Sequence, residues 1–280
     1  MTDNEMTAAI EANVQAALAE DLGGGDLTAQ LVDADAHTKA RLICRQSATI
    51  CGLAWAEQCF KKLDNAVSAR WVVQDGDQVT PDSLVGEIEG PARALLSGER
   101  AALNFLQTLS GTATRARHFA NLVAGSPVRI LDTRKTLPGL RLAQKYAVRV
   151  GGCHNHRLGL YDAFLIKENH ILAAGGIAQA VSRARTISPS TPVEVEIESL
   201  EQLEEAIAAQ CDRIMLDNFS LETMALAVQR TAGRTELEAS GGLNDADVVR
   251  VAATGVDCIS IGTLTKDLQS IDLSLRLIEP

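Results

Sequence analysis

Between Arg129 and His170 the chain concentrates positive charge. Arg129, Arg134, Lys135, Arg141, Lys145, Arg149, Arg157 and Lys167 stand there against only Asp132, Asp162 and Glu168, with His154, His156 and His170 among them. The whole chain carries a formal net charge of −10, so this cationic block calls for an anion from outside. No nucleic acid is expected, because such binders spread positive charge over a whole domain or an open face. Here the cations sit beside turn and strand signals, as they would around a pocket for a small polyanion.

Six apolar runs read as strands, and each ends in a reactive side chain or a glycine. VRIL (128–131) leads into Asp132-Thr133-Arg134-Lys135, and AFLI (163–166) into Lys167. VEVEI (193–197) carries Glu194 and Glu196, with Glu198 next. RIML (213–216) gives Asp217-Asn218, ELEA (236–239) gives Ser240-Gly241-Gly242, and CISI (258–261) gives Gly262-Thr263. In parallel β/α folds the carboxyl ends of the strands form one rim, and chemistry sits there. Taken singly, a glycine after a strand reads equally well as a turn, and a lysine there as a solvated rim residue. The coincidence of six strand ends makes the functional reading the stronger one.

Alternation within VEVEI sends Val193, Val195 and Ile197 toward covering helices and Glu194, Glu196 and Glu198 inward. Inward carboxylates are costly without partners. Lys135 and Lys167 on neighbouring strands could pair with them, and so could a divalent metal arriving with a substrate phosphate. Gly241, Gly242 and Gly262 would let backbone N–H groups approach a phosphate closely. Cys153, His154 and His156 match no common zinc spacing. Arg141, Lys145 and Arg149, at i, i+4 and i+8, read as a solvated or partner-facing stripe.

The elements that must carry these residues fall into two halves. Up to about residue 115, helices and strands mix irregularly. Ile10, Val14 and Leu18 mark an opening helix ending at Gly23-Gly24-Gly25, ARLICRQ (40–46) and ARWVVQ (69–74) read as strands, and Asp75-Gly76 as a tight turn. Pro91 opens a further helix. Beyond Ser126 the repeated βα units imply a parallel sheet with right-handed crossovers, with helix starts at Pro138, Ser199, Ser220 and Asn244. Six units are too few for a complete eightfold barrel, so an incomplete one is expected. There is no run of 18 or more apolar residues and no leader-like N-terminus, and the six cysteines are widely spaced. A cytoplasmic protein with reduced thiols and no membrane association is therefore expected.

At this point the sequence is recognisable. EDLGGGDLT (20–28), SGERAALNFLQTLSGTAT (97–114), DTRKTLPGLR (132–141), GGCHNHRLGLYDAFLIKENH (151–170), VEVEIESLEQL (193–203), IMLDN (214–218), EASGGL (238–243) and SIGTLT (260–265) together resemble the quinolinate phosphoribosyltransferases, the carboxylating nicotinate-nucleotide pyrophosphorylases. The resemblance implies an α/β sandwich over 1–115, with the tail 267–280 packed on it, and an incomplete α/β barrel over 116–266. It implies transfer of 5-phosphoribosyl from phosphoribosyl pyrophosphate to quinolinate, with loss of CO2, in de novo NAD biosynthesis. Mg²⁺ is the implied cofactor, and the implied assembly is a homodimer with shared sites.

The residues carry over as follows. Thr133, Arg134, His156, Arg157 and Lys167 resemble the quinolinate-binding set, and Arg100 a residue lent by the partner subunit. Lys135 would contact the pyrophosphate. Glu196 and Asp217 would serve the ribose hydroxyls and Mg²⁺, largely through the substrate. Ser240, Gly241 and Gly262 would cradle the 5-phosphate. Lys135, Lys167, Glu196 and Asp217 make up the implied catalytic group. Three alternatives remain: a same-fold enzyme with another anionic heterocycle as acceptor, a Schiff-base aldolase at Lys167, and a non-catalytic anion binder.

Overall fold

A computed structural model describes residues 2–278 of the chain. They divide into two compact units.

The first unit holds the chain up to Arg117, Thr136–Gly152 and the chain from Leu264 onward. Thr2 caps α1 (Asp3–Leu22) through a reciprocal bond pair with Glu5, and Gly23, at φ 48°, ends the helix. Val14 and Leu18 are buried as their spacing predicts. Strands β1 (His37–Cys44), β3 (Ser68–Trp71) and β5 (Ser83–Pro91) form an antiparallel sheet with the chain's last strand, β12 (Leu273–Ile278), in the order β12-β1-β5-β3. The short β2 (Ala48–Thr49) and β4 (Gln78–Val79) pair separately. Asp75 does more than make a turn: Oδ1 accepts the N–H groups of Gly52 and Leu53 at the start of α2 (Leu53–Leu63), and Oδ2 accepts the Tyr146 hydroxyl. Trp55, Phe60, Leu95, Leu106 and Leu109 sit at the centre of the core.

The division between the two units falls within the long α3 (Ala92–Leu122), and residues 136–152 group with the first unit. Two expectations about the following segment are corrected. Pro138 does not open a helix. It forms a turn with Gly139, whose φ is 78°, and α4 begins at Arg141 and ends at Val150. Lys145 is fully buried rather than part of a solvated stripe. The i, i+4 spacing places it on the face of Arg141 and Arg149, but the middle of that face is covered, and Gln144 beside it is buried as well.

The second unit, His118–Lys135 and Cys153–Thr263, contains the six expected strands: β6 (Arg129–Leu131), β7 (Phe164–Ile166), β8 (Val193–Ile197), β9 (Arg213–Asp217), β10 (Glu236–Ser240) and β11 (Cys258–Ser260). All neighbours are parallel, in the order β6-β11-β10-β9-β8-β7, so the barrel stays open between β6 and β7. The segment around His154 lies along β6: His154 N–H donates to Ile130 O, and Asp132 N–H donates to His154 O. Helices α5 (Glu168–Ala174), α6 (Ile177–Ile187), α7 (Leu200–Ala208), α8 (Leu221–Thr231) and α9 (Asp245–Ala252) alternate with the strands, and α10 (Thr263–Lys266) follows β11. Ser199, Ser220 and Asn244 cap α7, α8 and α9. The Gln202 side chain accepts from Glu198 N–H, one residue before the Ser199 cap.

Candidate active site

The carboxyl ends of β6 to β11 converge on one mouth of the second unit, and register decides which side chains meet there. Ser240 is opposite Asp217, and Asn218 N–H donates to Ser240 O, which joins the turns after β9 and β10. Gly241 has φ 140°, and a Cβ there would stand 3.0 Å from Asn218 Oδ1, so only glycine fits. At Gly262 a Cβ would meet Lys135 Cδ at 3.1 Å and Thr133 Oγ1 at 3.8 Å. The Thr133–Lys135 loop therefore lies over the glycine turn after β11. Thr133 Oγ1 fixes that loop by accepting Lys135 N–H.

The cationic loop after β6 is anchored by Asp132, a residue given no role above. Its fully buried carboxylate accepts His156 N–H at 2.9 Å and Asn155 Nδ2 at 2.6 Å. One buried anion thus ties the Thr133–Lys135 loop to the His156–Arg157 loop. Asp162 shapes the latter by accepting Leu158 N–H and Gly159 N–H.

Arg134 and Arg157 are both half-buried, and Arg134 Nε is buried without a hydrogen-bond partner. Burial and then the neighbouring Arg134 hold the Arg157 guanidinium below its ordinary pKa, while Glu194 and Asp162 act weakly the other way. Arg157 spends one N–H on Ala163 O. Two guanidiniums within electrostatic reach of each other, one with an idle donor, are a receptor for anionic oxygens.

Lys167, after β7, and Glu196, on β8, form an ion pair. Lys167 N–H also donates to His170 Nδ1 across the first turn of α5. Asp217 accepts from Asn218 Nδ2. Glu198 is exposed, so only Glu194 and Glu196 of the three expected inward carboxylates are drawn in. Glu196 and Asp217 offer hard carboxylate oxygens suited to Mg²⁺. One oxygen of Glu196 is held by Lys167, and no third protein ligand gathers there among the described residues. Among the described residues, the group whose ligand atoms lie close enough to share an ion is His156, Glu194 and Glu238. Glu196 and Asp217 therefore fit a magnesium ion that arrives with polyphosphate oxygens of its own.

His156 is placed differently from a surface ligand. Its side chain is buried, with Nε2 2.9 Å from Glu194 Oε2 and Nδ1 accepting Arg157 N–H at 2.7 Å. Arg100 is exposed on α3 in the first unit. Glu238 and Arg213, which face His156 and Glu194 from β10 and β9, were not singled out. The alternation of ELEAS, which puts Glu236, Glu238 and Ser240 on one face, is the signal that could have found Glu238.

An open parallel barrel, with cations and carboxylates at its strand ends and a glycine cradle beside them, defines a β/α-barrel protein for phosphorylated and carboxylated small molecules. Comparison narrows the class. The pattern of the quinolinate phosphoribosyl transferase N-terminal domain matches residues 26–110, and that of the C-terminal domain matches 112–276. A probable carboxylating nicotinate-nucleotide pyrophosphorylase of Bacillus subtilis is 42% identical over 91% of this chain and 89% of its own length. The carboxylating nicotinate-nucleotide pyrophosphorylase of Mycobacterium leprae is 39% identical over 99% of this chain and 100% of its own. The solved nicotinate-nucleotide pyrophosphorylase of Francisella tularensis superposes with a TM-score of 0.94 at 45% identity, covering 97% of this chain and 96% of that one. The chain belongs to the quinolinate phosphoribosyltransferase family.

Proposed function

We propose that the chain transfers 5-phosphoribosyl from phosphoribosyl pyrophosphate to the ring nitrogen of quinolinate and releases pyrophosphate and CO2, giving nicotinate mononucleotide for NAD synthesis. The observation that carries this reading is the Arg134–Arg157 pair, half-buried like charges with an unmet buried donor at Arg134 Nε. A planar dicarboxylate supplies the missing oxygens to two forks at once. The family and the names of its members agree with it.

In this reading Arg134, Arg157 and Lys167 grip the acceptor, with Thr133 at the edge of the pocket. Ser240, Gly241 and Gly262 hold the 5-phosphate, and Lys135 meets the pyrophosphate. As the bond from ribose C1 to pyrophosphate oxygen breaks, positive charge develops on C1 and the ring oxygen. Glu196 and Asp217 stabilise it electrostatically. Alignment of the ring nitrogen with C1 lowers the barrel site's remaining barrier by fixing the geometry of attack. Once the N–C1 bond has formed, the bond from C2 to its carboxylate breaks. CO2 leaves, the electron pair stays on C2 beside the ring cation, and C2 takes a proton. Mg²⁺, held at Glu196 and Asp217 largely through the substrate, would neutralise the departing pyrophosphate.

The working form in this reading is a homodimer, with Arg100 lent to the partner's site. Leu160, Tyr161, Leu172 and Ile187 are more than 70% exposed near the open β7 edge, an apolar surface suited to a second copy. Among the described residues no helix is long and apolar enough to cross a membrane, and all six cysteines are buried and outside any disulfide. Both facts are compatible with a cytoplasmic enzyme.

The test offers the protein phosphoribosyl pyrophosphate and Mg²⁺ with quinolinate or nicotinate in parallel, following product mass and CO2. Nicotinate mononucleotide with CO2 from quinolinate alone is expected. Product from nicotinate alone would refute the dicarboxylate pocket.

A further inference from the structure

Below the mouth of the second unit lies a charged group that the reaction as proposed leaves unused. Nε2 of His156 stands 2.9 Å from Glu194 Oε2 on β8 and 3.5 Å from Glu238 Oε2 on β10. From β9, Arg213 Nη1 donates to Glu238 at 3.2 Å and Nε to Glu236 at 2.5 Å, and Arg129 on β6 pairs with Glu236 as well. Glu238 is fully buried and Glu194 5% exposed, each keeps one oxygen without a hydrogen-bond partner, and both face His156 Nε2 through charge and proximity rather than through an aligned hydrogen bond. Arg213 already occupies Glu238, so a metal ion there would have to sit against a guanidinium, and the group is not a metal site. On the other edge of the ring, Nδ1 accepts Arg157 N–H at 2.7 Å, while His156 N–H goes to Asp132.

We propose that Glu194 and Glu238 are positioning residues of the acceptor pocket. They hold the His156 imidazole with its proton on Nε2, which keeps Nδ1 bare to accept Arg157 N–H and so fixes the backbone that presents the Arg157 guanidinium. This rests on the reading of the mouth as a dicarboxylate site. His156 then acts through Arg157 and not by touching the acceptor. Burial lowers the proton affinity of the ring, while Glu194 and Glu238 raise it with a net upward result. A second ring proton, however, would set N–H against N–H across 2.7 Å. Any extra proton in the group therefore goes to Glu238, which burial and then the charge of Glu194 push upward.

The test uses the full-length protein labelled with ¹⁵N only at its five histidines, with His156 assigned by its loss in His156→Gln. Long-range proton–nitrogen spectra at pH 7 should show His156 neutral, with an unprotonated Nδ1 and a protonated Nε2. In Glu194→Gln and Glu238→Gln the tautomer should become mixed. The KM for quinolinate should rise about tenfold, while kcat and the KM for phosphoribosyl pyrophosphate stay within about twofold, the split expected when only acceptor binding is weakened. A doubly protonated or Nδ1-protonated His156 in the unsubstituted protein overturns the proposal, as does an unmoved quinolinate KM in both variants. If the unsubstituted protein made no nicotinate mononucleotide, the functional reading would fail by itself, and the tautomer would still decide the role of the two glutamates.

Discussion

Lys167 and Glu196, from the ends of neighbouring strands β7 and β8, are ion-paired with each other in the protein on its own. Both are proposed to face substrate, so each substrate must share or displace an existing partner. The pair also presents Lys167 as an ammonium donor, whereas a Schiff-base mechanism needs a neutral amine. Lys167→Ala should lower kcat/KM for quinolinate by about 100-fold or more, since it removes a charge-assisted contact at the acceptor. The Lys167 side chain is 43% exposed, so the stability loss should be only about 1 kcal/mol or less. Thermal unfolding beside steady-state kinetics checks both, and the double variant with Glu196→Gln should lose far less than the sum. Borohydride with a carbonyl compound should trap nothing on Lys167.

Arg157 combines burial with a like-charged neighbour, which makes its truncation informative in two directions. Arg157→Ala should raise the quinolinate KM by about 10- to 100-fold through loss of a bidentate grip. Relief from the charge of Arg134 should leave the melting temperature unchanged or slightly higher. Arg157→Lys should recover little, because a point charge cannot replace the fork. A quinolinate KM unaltered in Arg157→Ala would remove this residue from the pocket.

Much of this arrangement is legible in the chain, and its limits have physical causes. The six strands of the second unit stand out because short apolar runs bounded by turn residues are what buried parallel strands require. Their polar ends gave the mouth of the barrel. What local patterning does not contain is register. Glu194 and Glu236 both flank Arg213 across the β8-β9-β10 ladder, and nothing within any one of those strands announces that meeting. Lys145 shows the same limit on a helix, where spacing identifies the face but not what covers it. Asp132 looked like one acid in a basic run, and only the return of residues 154–157 beside β6 makes it an anchor. A helix start and the observed turn at Pro138-Gly139 share one signal in the sequence, because Pro serves a helix's first turn as readily as it serves a tight turn.

The glycines of the cradle can be separated by what surrounds them. At Gly262 a Cβ would press on Lys135 Cδ at 3.1 Å, whereas at Gly242 it would meet nothing within 4 Å. Gly262→Ala should displace the end of Lys135 and raise the KM for phosphoribosyl pyrophosphate about tenfold, leaving the quinolinate KM nearly unchanged. Gly242→Ala should fold normally with a much smaller effect. Equal kinetics for the two variants would dissociate Lys135 from the polyphosphate site.

Glu238 gives the protein a pH dependence of stability with a defined sign. Burial, and then the charge of Glu194, push its carboxyl up to about 7 in the folded chain, while in the unfolded chain it titrates near the ordinary value of about 4.3. Between those values the folded state binds a proton that the unfolded state has released, so stability falls as pH rises through that window. The limit for one proton is about 1.4 kcal/mol per pH unit. Glu87, Asp247 and Asp26, whose pKa values are lowered by hydrogen bonds, act oppositely, but their contribution is complete once pH exceeds the ordinary carboxylate range. From about pH 5 to 7 the unsubstituted protein should therefore lose melting temperature, and Glu238→Gln, whose amide stays neutral throughout, should show a flatter profile over the same range. Melting curves in matched buffers measure the difference, and parallel profiles for the two proteins would place the Glu238 proton loss elsewhere.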